Sequence, residues 1–180
     1  MNLANWITIT RILVVPFFII LLSYNYEFSA LILFCIAGIT DGIDGYIART
    51  KKLKTELGAI LDPLADKFLL ISSFVMLTIK KPALIPLWFT IILLSREIVI
   101  VVGSVIIQFI TNNFKAKPTM IGKLTTSMQI LTVFTALVIN GMDISSPIKI
   151  LNVFIITTTV FSIISGSHYI YLGTKQLNGE

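Results

Sequence analysis

The chain has 180 residues, of which 56% are hydrophobic and 13% are charged, and its mean hydropathy is +0.92. A soluble domain of average composition has about 25% charged residues, so these values exclude an ordinary soluble protein and indicate an integral membrane protein. A membrane-spanning helix needs about 20 residues, so the length allows roughly six spans, short loops and no separate soluble domain. We therefore expect an all-α membrane fold that forms one domain over residues 1–180.

The net charge indicates which partners the chain can bind, and the cysteine count shows whether it can form an internal disulfide. A net charge of +5 suits anionic lipid headgroups or a phosphorylated substrate. The lysines are scattered through short predicted loops, so nucleic-acid binding is the less favoured interpretation. Cys35 has no second cysteine with which to form an internal disulfide. The apolar run near the N-terminus lacks a small-residue cleavage site, so we expect a retained first span rather than a signal peptide.

Apolar runs and polar breaks predict six helices in chain order, at residues 3–23, 28–49, 57–79, 83–110, 121–140 and 148–172. The first helix carries Asn5, Thr8 and Arg11 on one stripe, because residues three apart share a helix face. Two interpretations of this stripe stay open. It either faces lipid headgroups at the membrane interface or lines a polar cavity and touches substrate.

Four aspartates lie at the end of the second predicted helix and the start of the third: Asp41, Asp44, Asp62 and Asp66. Within each helix the two are three or four positions apart, so each pair projects from one face. Carboxylates are costly in an apolar medium, and this favours a functional role over packing. If the two helices face each other, they gather four carboxylates into a site for hard divalent cations such as Mg²⁺.

The residues around the aspartates favour phosphoryl chemistry. Gly45 and Gly58 remove side chains where a ligand must approach closely. Arg49 and the lysines after it can neutralise phosphate charge. These features indicate metal-assisted phosphoryl transfer on a lipid substrate. A cation transporter is the alternative from another class, but its site would normally lie near the membrane midplane rather than at one face.

The distribution of lysine and arginine predicts the topology. With six spans both termini lie on one side, which also holds most of the basic residues: Arg11, Arg49, Lys51, Lys52, Lys54, Lys115, Lys117 and Lys175. The opposite side holds Lys80, Lys81 and Lys149. The positive-inside rule therefore places the termini and the aspartates on the cytoplasmic side of the cell membrane.

The aspartate-rich stretch resembles the signature of the CDP-alcohol phosphotransferase family, Asp-x2-Asp-Gly-x2-Ala-Arg-x8-Gly-x3-Asp-x3-Asp, with no departure. The resemblance implies six transmembrane helices, a homodimer, and transfer of a CMP-activated phosphoryl group to an alcohol with release of CMP. It implies two divalent ions, Mg²⁺ or Mn²⁺, held by Asp41, Asp44, Asp62 and Asp66. Asp66 is the expected general base, and Asp62 also belongs to the catalytic set. The residues expected to contact CDP are Asn5, Thr8, Gly45, Ala48, Arg49, Thr55 and Gly58.

Shorter stretches resemble the bacterial phosphatidylglycerophosphate synthases within that family: the polar N-terminal stripe and residues 95–98, 122–129 and 165–169. This implies CDP-diacylglycerol as donor and glycerol 3-phosphate as acceptor. Inositol phosphate, serine and phosphatidylglycerol are the alternative acceptors. Thr125 and His168 depart from the pattern, since a lysine and an acidic residue are common there. The residues expected to bind the acceptor phosphate are Arg96, Lys123 and Arg49.

Arg96 and Lys123 lie inside predicted helices, so we expect both cations to be buried. An arginine within a membrane needs an anion. Glu97 is the alternative partner for Arg96, and this pairing is as well supported by the sequence as direct contact with phosphate.

Overall fold

The computed structural model describes the backbone of residues 3–51, 56–111, 119–142 and 148–177, and the side chains of residues 13–40, 67–103, 105–106, 119–142 and 148–175. The described chain is all-helical, which confirms the all-α part of the predicted fold class. Its six helices are α1 (Leu3–Ser23), α2 (Glu27–Lys51), α3 (Glu56–Lys80), α4 (Leu87–Thr111), α5 (Met120–Gly141) and α6 (Ile148–Leu177).

Two helix ends differ from the prediction. α4 begins at Leu87 rather than at residue 83, because Ile85 precedes a proline and that position disfavours the helical conformation. Residues 81–85 form a turn instead, closed by the backbone nitrogen of Leu84, which donates to the Lys81 carbonyl at 2.9 Å. α6 continues to Leu177, five residues beyond the predicted end at 172. The polar residues after 172, which were predicted to form a tail, therefore continue the helix to Leu177.

Several helices carry the apolar surface expected of a membrane protein. Within the described residues, α5 and the segment Ile148–Lys175 of α6 are long and apolar enough to cross a membrane, by length and composition. Shorter apolar helical segments lie at Leu13–Ser23 and Glu27–Thr40. α4 exposes a run of large apolar side chains, including Ile91, Ile98 and Val102. Such a surface is costly in water and typical of contact with lipid. The number of spans, six, stays a prediction.

The helices pack as a bundle in which α1 contacts α2 and α3, while α5 contacts α2, α3 and α6. α4 packs mainly against α6 and also touches α3. The core contains aromatic pairs between neighbouring helices, such as Phe18 with Phe34 at 6.2 Å and Phe74 with Phe89 at 5.6 Å between ring centroids. Small hydroxyl side chains join other helices, since Thr132 and Thr158 lie 3.0 Å apart between α5 and α6.

Polar contacts also join the helices at the end of the bundle away from the aspartates. The Lys80 ammonium donates to the carbonyl of Ser23 at 2.7 Å, where α1 ends. Lys81 forms an ion pair with Glu27, at the start of α2, at 2.8 Å. Gly141 lies against Phe28, because a Cβ atom added there would be 3.3 Å from the Phe28 backbone nitrogen. This end of the bundle therefore links α1, α2, α3 and α5.

Candidate active site

The four aspartates of the motif lie on two helices, Asp41 and Asp44 on α2 and Asp62 and Asp66 on α3. The side chains of residues 41–66 lie outside the described residues, and so does Thr55. The same holds for the side chains of Asn5 and Thr8 on α1. The predicted metal ligands and CDP contacts on these residues therefore stay predictions.

After the motif, the described side chains resume at Lys67, which belongs to a charged cluster. The Lys67 ammonium lies 2.8 Å from one carboxylate oxygen of Glu97 on α4. The other oxygen of Glu97 accepts a hydrogen bond from Nη1 of Arg96. Nη2 of Arg96 donates to the Ser165 hydroxyl on α6 at 3.0 Å. The cluster of Lys67, Arg96, Glu97 and Ser165 thus joins α3, α4 and α6 one residue beyond the last aspartate.

Arg96 is the buried centre of this cluster, with 7% of its surface exposed. An unpaired charge is strongly destabilising in such a place, and this explains why Glu97 lies beside it. Two cations share one carboxylate, so the charges of Lys67, Arg96 and Glu97 add to a net +1. Nε of Arg96 is buried and has no hydrogen-bond partner among the described residues. The cluster therefore retains a net positive charge.

A second set of contacts fixes the start of α5 against α6. Thr119 caps α5, and its hydroxyl accepts from the backbone nitrogen of Gly122 at 3.1 Å. The backbone nitrogen of Thr119 donates to the Tyr169 hydroxyl at 3.4 Å. A Cβ atom added at Gly122 would lie 3.3 Å from that hydroxyl, so the glycine allows the tyrosine to approach. Gly122 and Tyr169 come from two of the short stretches noted in the sequence, and the fold brings them together.

Lys123 and Thr125, both on α5, have surroundings that the sequence did not predict. Lys123 is exposed, so the prediction that it is buried is wrong. It stands in the first turn of α5, beside the helix end rather than in its interior. Thr125, which occupies a common lysine position, is fully buried, and its hydroxyl donates to the carbonyls of Ile121 and Phe161. The position serves helix packing in this chain.

Sequence reasoning did not assign Lys67 or Ser165 to the site. Lys67 had a recognisable signal, since it is a lysine that directly follows the last aspartate in an otherwise apolar helix. Ser165 had a weaker one, as the polar residue of a Ser-Gly pair in an apolar helix. Its partner lies 69 positions away in the chain, and no local pattern points to that contact.

The chemistry of the motif fits a divalent cation. Aspartate carboxylates are hard oxygen ligands of the kind that Mg²⁺ and Mn²⁺ prefer. The described residues contain no group of three or more histidine, cysteine, aspartate or glutamate side chains that could hold a metal ion. Asp41, Asp44, Asp62 and Asp66 stay the predicted metal ligands.

Comparison with known proteins agrees with this reading of the motif. The profile of the CDP-alcohol phosphatidyltransferase family, whose members generally depend on a divalent metal ion, matches residues 1–164. The chain is 31% identical to the CDP-diacylglycerol–glycerol-3-phosphate 3-phosphatidyltransferase of Aquifex aeolicus (strain VF5), over 100% of both chains. It is 33% identical to the protein of the same name from Bacillus subtilis (strain 168), over 93% of both. The chain therefore belongs to the CDP-alcohol phosphatidyltransferase family.

Proposed function

We propose that this protein transfers the phosphatidyl group of CDP-diacylglycerol to the hydroxyl of sn-glycerol 3-phosphate, giving phosphatidylglycerophosphate and CMP. The observation that carries the choice of an anionic acceptor is the cluster at Lys67, Arg96 and Glu97. It begins one residue after the motif and keeps a net positive charge. The names of the full-length relatives support the same donor and acceptor.

The transfer needs one new bond and one broken bond at phosphorus. The acceptor hydroxyl oxygen attacks the phosphorus that bears diacylglycerol, the bond from that phosphorus to the CMP oxygen breaks, and CMP leaves. Asp66 takes the proton of the attacking hydroxyl, and general-base help of this kind typically contributes a factor of about 10²–10⁴. Gly45, Ala48 and Gly58 let the nucleotide lie close to α2 and α3, with Arg49 against its phosphates.

Two divalent ions, Mg²⁺ or Mn²⁺, bound by Asp41, Asp44, Asp62 and Asp66 would supply charge neutralisation at the diphosphate. Asn5, Thr8 and Thr55 complete the proposed CDP contacts. The acceptor phosphate would lie among the cations Arg96, Lys123 and Arg49. The exposed position of Lys123 leaves its ammonium accessible to a ligand that arrives from water.

We place the protein in the cell membrane as one multi-pass domain of six spans, with both termini and the active site on the cytoplasmic side. CDP-diacylglycerol would then enter from the bilayer and glycerol 3-phosphate from the cytosol. We also propose a homodimer. Cross-linking in native membranes tests it, because a species of twice the monomer mass is expected and a purely monomeric pattern would contradict it.

The central test is release of CMP by purified protein supplied with CDP-diacylglycerol, Mg²⁺ or Mn²⁺ and one candidate alcohol at a time. We expect CMP with glycerol 3-phosphate and much less with inositol phosphate, serine or phosphatidylglycerol. Release with inositol phosphate alone would contradict the acceptor, and no release with any alcohol would contradict the enzyme assignment.

Asp66→Asn tests the general base. The amide cannot take the proton, so we expect kcat to fall by about 10²-fold or more, while CDP-diacylglycerol binding weakens much less. Asp143→Asn is the matched control, because Asp143 is the one aspartate of the chain outside the motif. Turnover by Asp66→Asn near that of the control would remove Asp66 from this role.

A further inference from the structure

A cavity of about 210 Å³ lies between α3, α4 and α5, next to the charged cluster. Its polar lining residues are Lys67, Glu97, Thr126 and Gln129. The rest of the wall is apolar and is formed by Leu70, Ile71, Phe74, Leu93 and Leu94. Binding pockets for small molecules have this composition, with mostly apolar walls and a few placed polar groups.

Gln129 is the feature of this cavity that packing does not explain. Its side chain is buried, with 4% exposed, and no hydrogen bond of its amide occurs in the described part of the chain. Polar groups inside a protein normally have a hydrogen-bond partner, and a ligand in the cavity can supply one here. Gln129 lines the cavity, so its amide can donate to such a ligand.

The charge and shape of the cavity decide what kind of ligand fits. Away from Lys67 and Glu97 the walls consist of five apolar side chains, which offer a phosphate no partner. A hydrocarbon chain suits those walls, and a carbonyl oxygen suits the Gln129 amide. An ester of a fatty acid has both parts in this order.

The direction of the cavity agrees with a lipid whose headgroup reacts at the motif. Lys67, Leu70, Ile71 and Phe74 follow each other along one face of α3, over about 10 Å at 1.5 Å per residue. The face starts one residue after Asp66 and leads away from the motif. A lipid with its phosphate near Asp66 would run its acyl chain along this face.

We propose that this cavity receives the ester-linked start of one acyl chain of the donor lipid, with the Gln129 amide donating to the ester carbonyl. The inference rests on the proposed function for the identity of the donor as CDP-diacylglycerol. It assigns Gln129 as a residue that recognises the diacyl ester, distinct from the residues proposed to bind CDP or the acceptor.

The first test compares Gln129→Leu on two donors in the CMP-release assay: CDP-diacylglycerol, and its ether-linked analogue, which lacks the carbonyl. We expect KM for the ester donor to rise about fivefold, as for loss of one hydrogen bond, while KM for the ether donor stays within twofold of wild type. Ser127→Ala, at an exposed position on α5, is the control. An equal rise for both donors would overturn the hydrogen bond. A rise in KM for glycerol 3-phosphate alone would mean that the acceptor occupies the cavity.

The second test measures occupancy without turnover. Protein in nanodiscs is irradiated with CDP-diacylglycerol that carries a diazirine near the start of one acyl chain, and the labelled peptides are mapped. We expect labelling of the cavity walls on α3 and α4, lost in Leu94→Trp and retained in Ile91→Trp, whose side chain is exposed on the same helix. Labelling that Leu94→Trp leaves unchanged would overturn the inference. Labelling without CMP release would uphold the lipid site while contradicting the proposed function.

Discussion

Arg96 has two roles to reconcile, because the partners that stabilise it also restrict what it can bind. Glu97 and Ser165 occupy Nη1 and Nη2, while Nε remains without a partner among the described residues. The sequence left pairing with Glu97 and contact with phosphate as equal alternatives. The structure shows the pairing, while contact with phosphate stays a prediction. Glu97 thus orients the arginine without using all its donors.

We expect Arg96→Ala to raise KM for glycerol 3-phosphate about tenfold or more, and KM for CDP-diacylglycerol by less than twofold. A hydrogen bond to a charged group contributes about 1.5–3 kcal/mol, which corresponds to that change. Glu97 keeps its ion pair with Lys67 in this variant, so the fold should persist. Lys175→Ala, which removes an exposed cation of α6, is the control. An unchanged acceptor KM would restrict Arg96 to its pairing with Glu97.

At the scale of elements, small polar side chains link α6 to α4 and α5. Ser165 binds Arg96 on α4, while Thr158 contacts Thr132 on α5. The Phe161 carbonyl accepts from Thr125, also on α5. Small hydroxyl residues are typical of helix interfaces in membranes, because they allow close approach and bond across it. The lysine common at position 125 would not fit this buried contact.

The close contact of α5 with α2 provides a test of helix packing. We expect Gly141→Ala to lower the thermal midpoint of the purified protein, because the added methyl group would meet the backbone of Phe28 at 3.3 Å. Gly103→Ala is the matched control, since nothing lies within 4 Å of its added Cβ atom and alanine favours a helix. A midpoint that falls equally in both variants would contradict the assigned contact.

At the scale of the whole molecule, the predicted topology distributes charge asymmetrically. It places most basic residues on the side of the motif, whereas Lys80 and Lys81 lie at the other end of the bundle. There Lys81 is paired with Glu27, and Lys80 binds the carbonyl at the end of α1. Both lysines thus tie the end of α3 to its neighbours, while the positive-inside rule counts only the lysines and arginines on each side.

Cysteine labelling in a Cys35→Ser background tests this orientation. We expect a membrane-impermeant maleimide to modify Ala83→Cys in right-side-out vesicles and Lys175→Cys in inverted vesicles. Both positions are exposed, Ala83 in the turn before α4 and Lys175 near the end of α6. The reverse pattern would invert the proposed topology, and labelling of both positions on one side would contradict the predicted number of spans.

Local patterns in the sequence carried most of the fold class, the family and the reaction class. Apolar runs predicted six helices. Their predicted ends differ from the structure chiefly where Pro86 delays the start of α4 to Leu87 and where α6 continues past residue 172. The spacing of the motif from Asp41 to Asp66 indicated the family, which the comparisons confirm. Such features depend on residues near each other in the chain, where periodicity and spacing are direct signals.

Only the tertiary structure decided how the isolated polar residues combine. Lys67 and Ser165 lie on α3 and α6, and their contacts with Glu97 and Arg96 on α4 follow from packing rather than from any short pattern. The same packing left Lys123 exposed and placed Gln129 in a cavity without a partner. Because an unpaired charge is costly when buried, a sequence shows which charges need partners. The arrangement of the helices determines which partners they have.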